Sequence, residues 1–237
     1  MNEILQKRKS IRHFSSAKLD SGTLEKVRVK IKNLKSLYPD IRYSVEFGEK
    51  TKGLFNIQAP HYLLFYSEKK EGAFENIGFI GQQMDLFLSA SGLGSCWLGV
   101  CKPAEKGLPG ENVNASLSYV ICIAFGKAAC SLYRKTDEFK RKALKEISEG
   151  EDHRLEAARL APSGMNKQNW YFIARDGKIH CYYKKPGILL RSAMEKLARI
   201  DLGIALCHIA EESSDFRFVK DTGAPRRKGY VYAGTVH

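Results

Sequence analysis

The pattern of apolar and polar positions divides the chain into alternating helical and extended stretches. Residues 2–9 read as a short helix leading into the basic run RKSIRHFS. Over 21–37, apolar side chains recur at Leu24, Val27, Ile31, Leu34 and Leu37, the spacing of one helical face, and Ser21 or Thr23 is placed to cap it. IRYSVEFGE alternates and ends in a glycine, as a half-buried strand does. APHYLLFYSEK is continuously apolar, the mark of a strand covered on both faces. GFIGQQMDLFLSASGLG carries apolar residues on more than one face, which predicts a long central helix ended by its glycines. LSYVICIAFGKA reads as another buried strand, DEFKRKALKEISEG as a mixed-charge segment, and HRLEAARLAPSG as a helix stopped at Pro162. NWYFIARDGKIHCYYKK predicts two strands around an Asp-Gly turn. SAMEKLARIDLGIALCHIAEESS is a second long helix, and KGYVYAGTVH a closing strand.

The order strand, long helix, strand ending in glycine occurs twice. HYLLFYSEK, GFIGQQMDLFLSASG and SYVICIAFG are followed later by WYFIARDG, MEKLARIDLGIALCHIAEE and GYVYAG. The two helices share an Asp-Leu step, Asp85-Leu86 and Asp201-Leu202. This repetition predicts a degenerate duplication: two related lobes, 1–140 and 141–237, forming one compact unit.

Composition narrows the function classes. With 237 residues, 43% of them apolar, the chain can bury a core without disulfides or metals. No apolar run approaches the roughly 18 residues of a membrane helix, and the charged N-terminus has no following apolar stretch of a secretory signal. The expectation is a cytoplasmic protein with no membrane partner. Cysteines at 96, 101, 122, 130, 181 and 207 form no CxxC pair and no zinc spacing; several lie in apolar runs and read as buried thiols. The net charge of +13 fits a nucleic-acid surface, an anionic small ligand or simply a basic proteome. The basic residues are dispersed, and no zinc finger or RNP-type signature accompanies them, so no nucleic-acid partner is expected. The histidines lack HExxH, and no GxSxG accompanies them, which leaves hydrolase and metalloenzyme readings little support. His208, on an apolar helix, reads as a core residue.

Four stretches carry candidate chemistry. Arg8, Lys9, Ser10 and Arg12 pack guanidinium and hydroxyl groups into five positions, a set that can take a phosphate through charge-assisted bonds; taken alone, such a run is more often a solvated basic turn. GLGSCWLG follows a helix and is not GxGxxG. It is either a loop whose backbone approaches a ligand closely or a helix cap and turn. APSGMNKQNW supplies hydroxyl and amide groups for the heteroatoms of a planar ring, or else a capped turn. Lys140, Arg141 and Lys142 alone read as a solvated face.

Together the four stretches resemble the FMN-dependent nitroreductase family. Its basic opening corresponds to Arg8-Lys9-Ser10-Ile11-Arg12-His13-Phe14, and its Ala-Pro-Ser-x-x-Asn-x-Gln-Pro-Trp loop to Ala161 through Trp170, with Asn169 in place of the proline. Its Gly-Leu-Gly-Ser-Cys-Trp segment is matched from Gly92 to Trp97, and its late Arg-Lys pair by Arg141-Lys142 or by Arg134-Lys135. The Ala-Pro-Ser loop comes late, after a complete first lobe, which resembles the TM-type nitroreductases, in which one chain imitates the family homodimer.

The resemblance implies a nitroreductase-like α+β fold of mixed, mainly antiparallel sheets flanked by helices, and a single FMN site. Arg8, Lys9, Ser10 and Arg12, with Arg141 or Lys142, would hold the phosphate. Pro162, Ser163, Asn166 and Gln168 would approach the isoalloxazine from the opposite lobe. Backbone amides near Leu98 and Gly99 would bond the ring around N5. The second, pseudo-symmetric site lacks a basic motif and is expected to be dead. The implied activity is ping-pong hydride transfer from NADH or NADPH through flavin N5 to a nitroaromatic or quinone-like small-molecule acceptor, with no protein residue as catalyst. The implied assembly is a pseudo-dimeric monomer, with further pairing into a homodimer left open. The alternative is an FMN-binding carrier or sensor without efficient turnover.

Overall fold

The structure, a computed structural model, describes residues 2–104, 116–135, 138, 140–187 and 191–237. Residues 137 and 139 of the mixed-charge segment therefore lie outside the described residues. The elements run α1 (Glu3–Lys7), α2 (Ser21–Lys32), β1 (Tyr43–Gly48), β2 (Thr51–Gly53), β3 (His61–Ser67), α3 (Ala73–Ala90), β4 (Gly94–Leu98), β5 (Cys101–Pro103) and β6 (Ser118–Gly126). They continue with α4 (Leu144–Ile147), β7 (Ser148–Glu149), α5 (Arg154–Leu160), β8 (Trp170–Arg175), β9 (Lys178–Lys184), α6 (Arg191–Glu211), β10 (Phe218–Val219) and β11 (Tyr230–Val236).

One sheet has the order β1-β3-β6-β4, and a second the order β10-β11-β9-β8-β7. All pairings in the two are antiparallel except β7 with β8. Setting β7 aside, each sheet places its strands first, second, fourth, third in chain order, with the long helix between the second and the third. By this topology the counterpart of HYLLFYS is β9 and not WYFIARDG, which forms β8, the counterpart of β1. The β8–β9 turn is tight because Asp176 and Gly177 both adopt positive φ, 52° and 72°, the geometry that matches strand twist in a two-residue hairpin.

Two local expectations are corrected. The cap of α2 is Asp20, whose Oδ1 accepts from Thr23 N at 2.8 Å, and the helix stops at Lys32 because the following segment turns away: Asn76 Oδ1 accepts from Leu37 N at 2.8 Å and Tyr38 N at 3.0 Å. GLGSCWLG is neither only a loop nor only a cap. Gly92 ends α3 at φ 76°, and then Gly94–Leu98 forms β4 against β6, with the Trp97 ring stacked on Phe65. No helix among the described residues is long and apolar enough to cross a membrane.

Helices α3 and α6 cross at the centre of the core through two glycines. A Cβ on Gly78 would lie 2.1 Å from Ile200 O, and one on Gly203 would lie 2.0 Å from Glu75 O. The contact is reciprocal: each glycine meets the carbonyl three residues before the other. Gly203→Ala would force the backbones apart. We expect a loss of about 1–3 kcal/mol, read from the urea midpoint; an unchanged midpoint would refute the close crossing.

Candidate functional site

The N-terminal basic stretch is held along the sheet edge. Ser10 bridges to Ser95 in parallel, and Ile11 N donates to Ser95 O at 2.9 Å. This places Arg8 over the core. Its side chain is 1% exposed, and Nε lies 2.9 Å from Asp85 Oδ2; Nη2 donates to Ser10 Oγ at 3.3 Å. Asp85 also accepts from Ser95 Oγ at 2.6 Å and from Gln82 Nε2 at 2.9 Å.

Gln82 carries the network onward. Its Oε1 accepts from Trp97 Nε1 at 3.2 Å, and its Nε2 lies 3.0 Å from His208 Nε2. His208 Nδ1 is 3.0 Å from Ala157 O. Burial, then the nearby Arg8 charge, pushes the imidazole down to about 3. It is therefore neutral, donating through Nδ1 to the carbonyl and accepting at Nε2 from Gln82. His208 is a core hub that joins α3, α5 and α6.

The loop after α5 is built by its polar side chains. Met165, Asn166 and Gln168 take positive φ of 52°, 56° and 45°, a region that side chains occupy only when the surroundings hold them there. Gln168 is buried and spends its side chain on the scaffold: Oε1 accepts from Lys142 N at 2.7 Å and Nε2 donates to Arg159 O at 3.0 Å. Its backbone N donates to Ser163 Oγ at 2.9 Å. Asn166 exchanges bonds with the preceding segment, accepting from Arg141 and donating to Lys140 O. Lys142 Nζ reaches Gln168 O at 3.3 Å. Pro162 is buried. Beneath the loop, both oxygens of buried Asp201 accept from Gly164 N, at 2.9 and 3.1 Å.

These segments converge on a crowd of guanidinium groups. Burial, then the charges of Arg134, Arg8 and Arg159, pushes Arg141 down to about 9. Arg134 is lowered by burial and then by Arg8. The Arg8 stretch, the 134–142 segment and the 161–168 loop thus meet, and both candidate Arg-Lys pairs contribute an arginine. Arg12 is exposed, and Lys9 lies 3.6 Å from Glu138. Leu98 is buried at the end of β4; Gly99 is exposed, and a Cβ there would meet Leu197 of α6 at 3.2 Å.

Arg8 is paired with Asp85 and Arg159 with Glu156; guanidinium groups gathered beside a polar loop are donors of the kind that suit a phosphate. Gln168 and Arg8 face inward as supports. Asp201, Gln82 and Ser95 have roles in the structure that no motif in the sequence marks; for Asp201 the signal is an aspartate inside an apolar helix.

Comparison with known proteins places the chain. The family model described as "Putative TM nitroreductase" matches residues 1–213. A putative nitroreductase from Thermotoga maritima MSB8 has a similar structure, with TM-score 0.62 and 22% identity, covering 99% of this chain and 91% of that one. A nitroreductase family protein from Clostridium difficile 630 aligns at TM-score 0.47 and 21% identity, over 62% of this chain and 96% of its own. An FMN-dependent nitroreductase from Clostridium difficile R20291 aligns at TM-score 0.45 and 17% identity, over 59% and 95%. No curated relative matches.

Proposed function

Because the chain belongs to the Putative TM nitroreductase family, we propose that it is an FMN-dependent NAD(P)H oxidoreductase of nitroreductase type. The observation that carries this reading is the meeting of three segments: Arg134 N donates to Lys7 O beside the basic N-terminal stretch, and Arg141 and Lys140 bond Asn166 of the 161–168 loop. Arg12, Lys9, Ser10 and Arg141 would hold the phosphate. Arg8 acts through Ser10, and Gln168 acts by fixing the loop that carries Ser163 and Asn166. Leu98 and Gly99 would offer backbone to the ring. FMN, when bound, supplies hydride transfer at N5, from NADH or NADPH to a nitroaromatic or quinone-like acceptor. The chain's own part is to bind, orient and neutralise charge.

We further propose that the chain is an internal duplication imitating a homodimer. The matching strand orders and the reciprocal glycine crossing support it.

The test is an absorbance spectrum of the protein reconstituted with FMN, before and after anaerobic NADH or NADPH. Binding followed by bleaching is expected. Binding without bleaching would favour a carrier or sensor, and absence of binding would overturn the reading. Arg12→Ala should weaken FMN binding about 10- to 100-fold, the worth of one charge-assisted bond of about 1.5–3 kcal/mol, by fluorescence titration. Unchanged affinity would remove Arg12 from the site.

A further inference from the structure

We propose that the tip of the arm formed by β2 and β5 is a docking point for an anionic lipid surface. The two strands pair antiparallel, and Gly53 opposite Cys101 is their last row. Beyond that row the chain presents Leu54, Phe55 and Val100, which are 69%, 82% and 52% exposed. The two turns touch: a Cβ on Gly53, whose φ is 141°, would lie 2.6 Å from Val100 O. The inference does not depend on the flavin reading.

The tip is a built feature. Asn56 closes its turn: Oδ1 accepts from Thr51 Oγ1 at 2.6 Å, and Nδ2 donates to Thr51 O at 2.8 Å. Phe55 takes φ 58°, a region that a bulky side chain occupies only at a cost. The fold thus holds an aromatic ring in water against both backbone preference and the hydrophobic effect. A partner that takes Leu54, Phe55 and Val100 out of water removes the second of these costs. Three side chains at the end of an arm fall far short of the roughly 20–30 residues a side of a stable protein interface. A bilayer needs no complementary shape.

Charge selects the kind of surface. Lys52 and Lys102 stand directly opposite each other, one row behind the tip, and Lys50 follows, its carbonyl accepting from Ala104 N. All three are exposed. Like charges directly opposite repel. Among the described residues no carboxylate forms an ion pair with Lys52 or Lys102, and Lys52 Nζ donates to Ala104 O at 3.1 Å. Lys196 of α6 adds a positive charge close enough to Lys102 for the two to repel. Glu49, beside Lys50, is engaged by Lys18. The lysines therefore form a basic collar behind an apolar tip. That arrangement lets apolar side chains enter the headgroup boundary while ammonium groups meet anionic headgroups. Such docking needs no spanning helix. A nucleic acid would answer the lysines and leave Leu54 and Val100 in water.

The probes are vesicles of equal parts phosphatidylserine and phosphatidylcholine, and vesicles of phosphatidylcholine alone, sedimented with the full-length protein. The mixed vesicles should bind more tightly by about tenfold or more. Phe55→Trp should shift its emission to the blue on the mixed vesicles, against the constant background of Trp97 and Trp170, which are half-buried and buried. Leu54→Ser with Phe55→Ser should weaken binding by about tenfold or more. Lys52→Ala with Lys102→Ala should weaken it by about 25-fold, or about fivefold per lysine. Attraction by the net charge alone would give binding that ignores the two serine changes and leaves the Trp emission unshifted; either result overturns the proposal. So does absence of binding, or full affinity in the lysine variant. A dimer seen by analytical ultracentrifugation and dispersed by the serine changes would assign the tip to a second copy of the chain and overturn it too.

Discussion

Arg8→Ala is expected to destabilise the protein by about 3–5 kcal/mol, the usual cost of removing one partner of a buried ion pair. Arg8 and Asp85 are both fully buried, 2.9 Å apart. Without the guanidinium, Asp85 keeps only neutral donors, Ser95 Oγ and Gln82 Nε2. Those bonds do not compensate a desolvated negative charge. The disturbance should spread, because Gln82 also orders His208 and Trp97. Urea unfolding would report the loss. A cost below about 1 kcal/mol would mean that the carboxylate reaches water or another cation, contrary to the observed burial.

This result bears on how the flavin site is probed. A weaker FMN affinity in Arg8→Ala would confound a lost phosphate contact with a loosened core. Arg12 is exposed and Arg8 is not, so Arg12 is the cleaner probe, although the two stand in one five-residue motif.

That contrast marks what a sequence carries. The buried strands β3 and β6 and the long helices were legible because apolar runs and periodicity are local properties. The strand β4 was not. Gly94, Ser95 and Cys96 are small residues with no strand pattern, and they become extended only because β6 offers an open edge. Site residues were legible by type and not by direction. Arg8 turns inward because Asp85, far along the chain, is buried beside it. Gln168 turns inward because Lys142 N and Arg159 O await its amide. The repeated Asp-Leu step also misled on register. The glycine crossing sets Gly78 against Gly203. Two residues before Gly203 is Asp201, and two before Gly78 is Asn76. The counterpart of Asp201 is therefore Asn76, and each holds the loop that follows the preceding helix.

Asn76 suggests the second large effect: Asp201→Asn should stabilise the protein at neutral and alkaline pH. Burial pushes Asp201 up to about 7, against a partial opposing effect of the Gly164 N–H. A carboxyl whose folded pKa lies above its unfolded value, 3.8, favours the folded state when protonated. That contribution is complete below about pH 4 and is lost as pH rises through about 7. Asparagine keeps an oxygen for Gly164 N and has nothing to ionise, as Asn76 shows in its own place. At acid pH the variant should be level with the wild type or weaker by about 1–2 kcal/mol, because its buried amide N–H groups need partners. Relative to that baseline it should gain about 1.4 kcal/mol per pH unit between pH 4 and pH 7, roughly 4 kcal/mol in all, and then level off. His208 and the ion-paired carboxylates titrate alike in both proteins, so they drop out of the difference. Urea unfolding of the two proteins from pH 4 to pH 8.5 measures that curve. A difference independent of pH would mean that Asp201 is ionised throughout, with a counter-charge or water beneath the 161–168 loop. A difference rising with pH would establish that the loop is anchored by a carboxyl that gives up its proton near neutrality.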